Sequence, residues 1–270
     1  MEKNEEYAPP GIDVSSPSPA RIYDVFLGGK DNFAVDRAAA QVAMDAGPDV
    51  PRAARENRAY LGRAVRFAVE SGITQFIDLG TGLPTQGNVH EVAQALEPDA
   101  RVVYVDNDPI VLVHARALLP PSDTTIVIQA DARRPAEILD NPRVRALIDF
   151  DRPVAVLMLA VLHFAEDEEA RNTIAAFHDA VVPGSLLIMS HSTVEGHPES
   201  GAEVAKAWKN ATVQIHSRTR DEVTALFEGF DLLEPGVVWV PEWRPVHPGK
   251  GTRWMYAGVG RRQGTPSPGR

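Results

Sequence analysis

The sequence has no cysteine, which excludes disulfides and thiolate metal sites and leaves the redox compartment unread from that residue. It has no long apolar run either. The longest, such as Val154 to Leu162, falls well short of the roughly 20 residues a membrane-spanning helix needs. The first residues, Met1-Glu2-Lys3-Asn4-Glu5-Glu6, are too acidic to open a signal peptide, so the expected compartment is the cytoplasm. Basic residues are in deficit: 27 Lys and Arg against 37 Asp and Glu give a formal charge of −10, with no dense Lys/Arg run. A nucleic-acid surface depends on neutralising phosphates, so the expected partner is a small molecule, with neither nucleic acid nor membrane involved.

What is present is an ordinary globular composition, 44% apolar and 24% charged, with 270 residues available for one large α/β domain or two small ones. The reading adopted is one domain with an N-terminal extension. Residues 1–16 and 263–270, rich in Pro, Ser and charge, read as flexible termini. Residues 17–72 read as a helical lid. Its first helix starts at Ser18-Pro19, an N-cap with proline behind it, and stops at Gly28-Gly29. A second helix over 34–46 and a third over 51–70 follow, the third with Ala53, Ala54, Tyr60, Leu61, Ala64, Val65 and Ala68 at helical spacing.

From residue 73 to 262 short β-branched runs alternate with helical stretches, the mark of parallel βαβ units. Strands are expected over 74–79, 101–106, 124–130, 153–160 and 185–191, with helices near 86–96, 109–119, 135–140 and 167–181. After a helix at 219–228, two further strands are expected at 230–240 and 253–261, joined by the Pro-rich stretch Pro241 to Gly251. Such a pair can close a parallel sheet with an antiparallel strand.

The loop after the first strand reads Asp78-Leu79-Gly80-Thr81-Gly82, with glycines that let the main chain turn tightly and approach a ligand. A dinucleotide fingerprint needs a third glycine three residues on, where Thr85 stands, so pyrophosphate binding is disfavoured. S-adenosylmethionine has no phosphate. It asks for an acceptor for its amino group, close backbone approach and donors for its carboxylate, and Asp78, Gly80, Thr81 and Gly82 suit that demand. Asp106 ends the next strand, where a carboxylate accepts from both ribose hydroxyls, and Asn107 can line the adenine edge. Asp131 ends the third strand, placed for its side chain, or the backbone through Ala132, to read the adenine amino group. Each feature has a plainer use: strand-end aspartates cap helices, and Gly-Thr-Gly makes tight turns.

Several stretches together resemble a known family: Pro19-Ala20-Arg21-Ile22-Tyr23-Asp24, Leu27-Gly28-Gly29-Lys30-Asp31-Asn32-Phe33, Arg55-Glu56-Asn57-Arg58, the loop Phe76 to Thr85, and Val103-Tyr104-Val105-Asp106-Asn107-Asp108-Pro109. The sequence resembles, over roughly residues 17–260, the actinobacterial S-adenosyl methyltransferases long catalogued as a domain of unknown function. The Gly-Gly-Lys-Asp-Asn stretch is specific to that group. The resemblance implies a class I methyltransferase, Rossmann-like α/β fold: a seven-stranded, mostly parallel sheet whose last-but-one position is antiparallel, binding S-adenosyl-L-methionine. It implies no acceptor. Pro84 replaces a glycine frequent in the wider class.

The first helix has one apolar face and is expected to cover the sheet's carboxyl edge, turning Lys30, Asn32 and Phe33 toward the cofactor. Tyr23 and Phe33 are candidates for the sulfonium's surroundings, although both also suit a core. Arg58, supported by Asn57, can pair with the cofactor's carboxylate, or Arg55 to Arg58 is a solvated face. His163 and His191, each at a strand end, are the candidate catalytic bases; the alternative for each is a hydrogen-bonded structural role. Methyl transfer needs alignment above all, so a base is not obligatory. All four tryptophans fall late, and Trp208, Trp239, Trp243 and Trp254 with His216 suit a planar or apolar acceptor or packing between C-terminal elements. No Asn/Asp-Pro-Pro-Tyr amine-methylation motif and no ligand spacing for a metal is present. The expected function is methylation of a small molecule. The alternatives are a catalytically silent S-adenosylmethionine-binding regulator and, opposed by Thr85, a nicotinamide-dependent oxidoreductase.

Overall fold

A computed structural model describes residues 13–84, 87–118, 122–209, 211–247 and 249–264. Thr85, on which the argument against a dinucleotide fingerprint turns, lies outside them, as do residues 1–12 and 265–270 of the two expected flexible ends.

Three helices come first, α1 (Pro19–Leu27), α2 (Ala34–Ala46) and α3 (Val50–Glu70). Gly28 stops α1 in the left-handed conformation, returning its N–H to Asp24 and Val25 carbonyls. Ser18 sits at the N-cap of α1, but its hydroxyl does not cap the helix; it bonds Asp108 Oδ2 at 2.5 Å. The strands are β1 (Gln75–Leu79), β2 (Arg101–Asp106), β3 (Thr125–Gln129), β4 (Ala155–Leu159), β5 (Leu186–Ser192), β6 (Phe230–Leu232), β7 (Val238–Trp239) and β8 (Met255–Arg262). They form one sheet in the order β3-β2-β1-β4-β5-β8-β6. β1 to β5 pair in parallel, and β8 runs antiparallel to both β5 and β6. This is the class I methyltransferase arrangement, with the antiparallel strand last but one.

The expected strand over 230–240 is interrupted. β6 pairs with β8 at its end and β7 at its beginning, on the same edge, and the chain between them leaves the ladder. Pro235 has no N–H to donate, and Gly236, at φ +78°, turns back to the Leu233 carbonyl.

Period-2 alternation divides the core into two layers. Phe76, Val102, Tyr104, Leu157 and Ile188 face α1, α2 and α3, whereas Ile77, Val103, Val105, Val156 and Met158 face the helices of the opposite side. Those helices are drawn from α4 (Val89–Gln94), α5 (Pro109–Leu118), α6 (Pro135–Leu139), α7 (Pro142–Leu147), α8 (Asp167–Ala180), α9 (Gly201–Ala205) and α10 (Arg220–Ala225), of which α6, α7, α8 and α10 carry the second core layer. α3 lies directly on the sheet: the Tyr60 hydroxyl donates to the Gly258 carbonyl at 2.8 Å, and Tyr60 packs edge-on against Trp243. The N-terminal helices therefore share one core with the sheet, and the boundary drawn at residue 72 separates stretches of sequence rather than cores. No helix of the described residues is long and apolar enough to cross a membrane.

α1 and α2 are joined by buried charge. Asp36 accepts the Phe33 N–H and the Ser18 N–H, each at 2.9 Å, and Arg21 Nε stands 2.9 Å from its second oxygen. Arg21 also donates to the carbonyls of Asp13 and Ser16. Both members of the pair are almost wholly enclosed, so removing one strands the other. Arg21→Ala is expected to lower the unfolding free energy by about 3–5 kcal/mol in urea titration; a loss under about 1 kcal/mol would show that the pair is not what joins the two helices.

Candidate functional site

The carboxyl ends of β1 to β4 open on one cavity of about 540 Å³, a volume typical of small-molecule sites. α1 covers it, contributing Tyr23 and Phe26, and Ser192, Val194, Val204, Trp208 and Ile215 wall its far side.

Sheet register builds the first part of the site. Leu79 lies level with Val105, so the chain leaving β1 folds over the end of β2, with the Gly80 N–H on the Val105 carbonyl at 2.8 Å. Gly80 and Gly82 both have φ +67°, a conformation glycine adopts without penalty. A Cβ on Gly80 would overlap the Val161 side chain, whereas one on Gly82 would meet no protein atom within 4 Å. Thr81 closes the turn through Oγ1 on the Asp78 carbonyl at 3.0 Å.

Asp106 is held by backbone: Oδ2 accepts the Gly82 N–H at 2.8 Å and Oδ1 the Asp108 N–H at 2.9 Å. A carboxylate has about four acceptor positions, so about two remain. Burial pushes its pKa up to about 6 against those N–H bonds. Asp78, on the next strand, is pushed up to about 7, again by burial, with the Arg58 charge opposing and the Asp106 charge reinforcing. Arg58 reaches from α3 to the far end of the loop, donating to the Gly87 carbonyl at 3.1 Å and Asn88 Oδ1 at 3.2 Å. It lines the cavity instead of forming a solvated face, as do Asn57, Asn107, Asp131 and Ala132.

Asp131 is otherwise engaged. Arg133 grips its carboxylate from Nε and Nη2, at 3.0 and 2.7 Å, and adds its own N–H at 2.9 Å. Burial would raise the pKa of Asp131, but these bonds outweigh it and hold the acid below its ordinary value. Of the two alternatives expected to read an adenine amino group, the Asp131 side chain is engaged by its neighbour, which favours the backbone at Asp131 and Ala132, both in the lining.

Lys30, Asn32 and Phe33 are not in the lining, contrary to expectation. The reason lies at Gly29, where a Cβ would overlap the Asp24 carboxylate; Asp24 in turn accepts the Asp31 N–H at 3.0 Å and Asn32 Nδ2 at 2.8 Å. The Gly-Gly-Lys-Asp-Asn stretch shapes the α1–α2 turn. Lys30 is exposed, and Phe33 packs with Leu83, Ile110 and Val111 beneath the Arg21 guanidinium. Tyr23 does reach the cavity; its hydroxyl donates to the Ala54 carbonyl and accepts from Asn57 Nδ2, both at 3.0 Å.

The two histidines part company. His191 is fully buried outside the lining, with Nδ1 on the Ser192 carbonyl at 2.8 Å and Nε2 facing Arg218 Nη1 at 2.7 Å. A guanidinium only donates, so Nε2 accepts and the proton sits on Nδ1. Neither nitrogen is open to a substrate, which removes His191 from the base role. His163 lines the cavity, and its Nδ1 accepts the Ser192 N–H at 3.3 Å. Burial, then the nearby His191 and Arg218, hold its pKa well below the usual imidazole range, so the ring is neutral.

Sequence reasoning missed Arg218, which bonds the carbonyls of Leu162 and Ala165 as well as Asp167 and so staples the loop after β4 to the end of β5. These partners lie 27 to 56 residues away, and no local pattern announces them. Ala160 was missed too: it lines the cavity with φ +54°, strained for a residue with a Cβ, and is held by Ser190 at its N–H. Of the late tryptophans, Trp208 and Trp254 line the cavity. Trp243 is core and Trp239 stacks on Tyr256 at 4.1 Å. Among the described residues no three His, Asp or Glu side chains are grouped to hold a metal.

The family model described as S-adenosyl methyltransferase matches residues 5–263. The chain belongs to the S-adenosyl methyltransferase family. A solved protein of Thermobifida fusca, described as a candidate methyltransferase, is 44% identical with a TM-score of 0.91 over 96% of this chain and all of that one. A DUF574 family protein of Streptomyces avermitilis is 40% identical, TM-score 0.88, over 93% and 99% of the two chains. Magnesium protoporphyrin IX methyltransferase of Synechocystis, solved with bound S-adenosylhomocysteine, is 14% identical with a TM-score of 0.54 over 90% and 93%, a likeness of fold. No curated protein matches.

The residues present fit the family's cofactor. Gly82 leaves open the space a side chain would fill, Asp106 keeps acceptor positions beside it, and Asn57, in the lining, has a buried Oδ1 with no partner among the described residues. The elevated pKa of Asp78 carries a consequence for stability. The folded state binds a proton more tightly than the unfolded chain, so ionised Asp78 destabilises the protein above pH 7, and the penalty fades as pH falls from 7 toward 4. Asp78→Asn is expected to raise the melting temperature of the ligand-free protein at pH 8, with the gain shrinking by pH 5; a lower melting temperature at pH 8 would contradict it.

Proposed function

We propose that this protein is an S-adenosyl-L-methionine-dependent methyltransferase acting on a small-molecule acceptor. One observation carries the reading: two buried carboxylates, Asp78 and Asp106, end adjacent parallel strands on either side of the Gly80–Gly82 loop and face the same covered cavity. Asp106 receives the ribose hydroxyls, Asp78 the ammonium group and Arg58 the carboxylate, while Asn107 and the backbone at Asp131–Ala132 run along the adenine. When bound, the cofactor supplies a methyl group on a sulfonium, and transfer leaves S-adenosylhomocysteine.

The chain's own contribution is alignment and exclusion of water. In-line displacement is favoured by a fixed approach geometry, which the cover from α1 and the rigid loop after β4 provide. With Nδ1 taken by Ser192, His163 carries its proton on Nε2 and serves as a hydrogen-bond donor to the acceptor. The acceptor provides its own lone pair, and its proton passes to solvent once the methylated product leaves the covered site. That neither histidine is placed as a base also favours a second reading, a silent cofactor-binding regulator. Transfer of radiolabelled methyl into cell extract separates the two: incorporation supports the enzyme, and none across extracts supports the regulator.

Calorimetric titration tests the cofactor itself. S-adenosylmethionine and S-adenosylhomocysteine are expected to bind and NAD not to; binding of NAD alone would overturn the proposal. Asp106→Ala removes acceptors for two hydroxyls and is expected to weaken S-adenosylmethionine about 100-fold. Protonation of Asp78, with its pKa of about 7, is expected to make binding about tenfold weaker at pH 6 than at pH 8, and Asp78→Asn should flatten that dependence. Unchanged affinity in Asp106→Ala would sink the ribose assignment.

A further inference from the structure

Charge is distributed unevenly around the cavity. Its lining includes Asp13, Arg21, Asp24, Arg58, Asp78, Asp106, Asp108, Asp131 and Arg133, so every acidic or basic residue in it stands at or before residue 133. From Leu159 onward the described lining holds no Asp, Glu, Lys or Arg, and its one titratable side chain, His163, is neutral. Sheet order turns that sequence division into a spatial one. Asp78, Asp106, Asp108, Asp131 and Arg133 stand at or just past the ends of β1, β2 and β3, whereas the later lining residues stand at the end of β4, past the end of β5 and at the start of β8.

The uncharged half is not short of charged residues nearby; they are turned outward. In the segment α9 and the single 3-10 turn after it, Glu203 and Lys206 pair with each other at 2.6 Å in solvent, while Val204 and Trp208 face inward. Trp208 packs on Phe26 of α1, with ring centroids 6.2 Å apart, so the cover and the wall meet. Trp254 is fixed on both sides, donating Nε1 to Asp49 at 2.7 Å and stacking on His197 at 3.8 Å. Ile215 and Met255 complete an apolar surface.

We infer that the methyl acceptor is an uncharged, largely apolar small molecule, aromatic or of similar breadth, seated over the ends of β5 and β8 between Phe26, Trp208 and Trp254. This deepens the methyltransferase reading and rests on it. A carboxylate, phosphate or ammonium placed there would lose its water with no counter-ion to replace it, whereas a neutral ring is stabilised by the area it buries. Among the described residues, the polar side chains this half offers are His163, Ser192, Thr193, Thr212 and Ser217, with the buried Trp208 Nε1; all are neutral and suit orientation of a hydroxyl or amine.

The test uses the full chain saturated with S-adenosylhomocysteine, binding of which is checked first by calorimetry; failure at that step overturns the methyltransferase reading and is thereby distinguished from failure of this inference. Three sets of aromatic fragments matched in size, neutral, anionic and cationic, are then screened by ligand-observed NMR against the wild type and Ile215→Asp. Ile215 is half-buried, so a charge there is tolerable to the fold, and retained S-adenosylhomocysteine binding verifies it. Trp208→Ala serves as a second variant. The expected result is that the fragments bound by wild type and weakened at least about tenfold, about 1.4 kcal/mol, by both variants are neutral. Variant-sensitive fragments that are mainly anionic or cationic, or no variant-sensitive fragment at all, would overturn it.

Discussion

The site depends on the cover that α1 lays across the carboxyl edge of the sheet. Asp78 and Asp106 line the cavity that α1 covers, and burial raises their pKa values to about 7 and about 6. The cover is held at its start, where Ser18 bonds Asp108, two residues beyond Asp106, and where Asp36 gathers Ser18, Phe33 and Arg21. It is held at its end by the Asp24 carboxylate, which occupies the space Gly29 leaves empty. Enclosure strengthens every polar interaction inside and raises the cost of leaving one unmade. The arrangement therefore favours a ligand that brings a positive group and hydroxyls to those two acids.

A second consequence of the same layout is a division of labour along the sheet. The parallel strands β1 to β3 end in acids and glycine turns, features suited to a polar ligand of fixed structure. β4 ends at the strained Ala160, and the end of β5 and the start of β8 bring the uncharged Thr193 and Met255 to the cavity. Arg218 braces the second of these regions by tying the loop after β4 to His191 on β5. A buried guanidinium with five donors is suited to that task, because it satisfies several carbonyls at once and cannot lose its charge.

What was legible in the sequence was local or set by period. The glycine loop and the acids ending β1 and β2 follow from alternation and turn residues, each involving neighbours within a few positions, whereas the antiparallel strand's place last but one was implied by the family resemblance. The break in the strand expected over 230–240 was also written locally, in Glu234-Pro235-Gly236, but the apolar run on either side masked it. The Gly-Gly-Lys-Asp-Asn stretch misled for a physical reason: Gly29 is required by the carboxylate of Asp24 in the helix before it, and a glycine's purpose depends on what stands opposite its missing side chain. His191 could not be told from His163 by position, since both end strands. Only the partner Arg218, 27 residues distant, removes one of them from the cavity. Asp131 has an arginine two residues on, which engages its carboxylate, whereas Asp106 is held by backbone N–H groups alone.

The most direct measurement is a crystal structure of the protein with S-adenosylhomocysteine. The account predicts the ribose hydroxyls about 3 Å from Asp106, the amino group on Asp78, and the thioether sulfur facing the uncharged half of the cavity. A ligand bound elsewhere, or with its ribose away from Asp106, would contradict it.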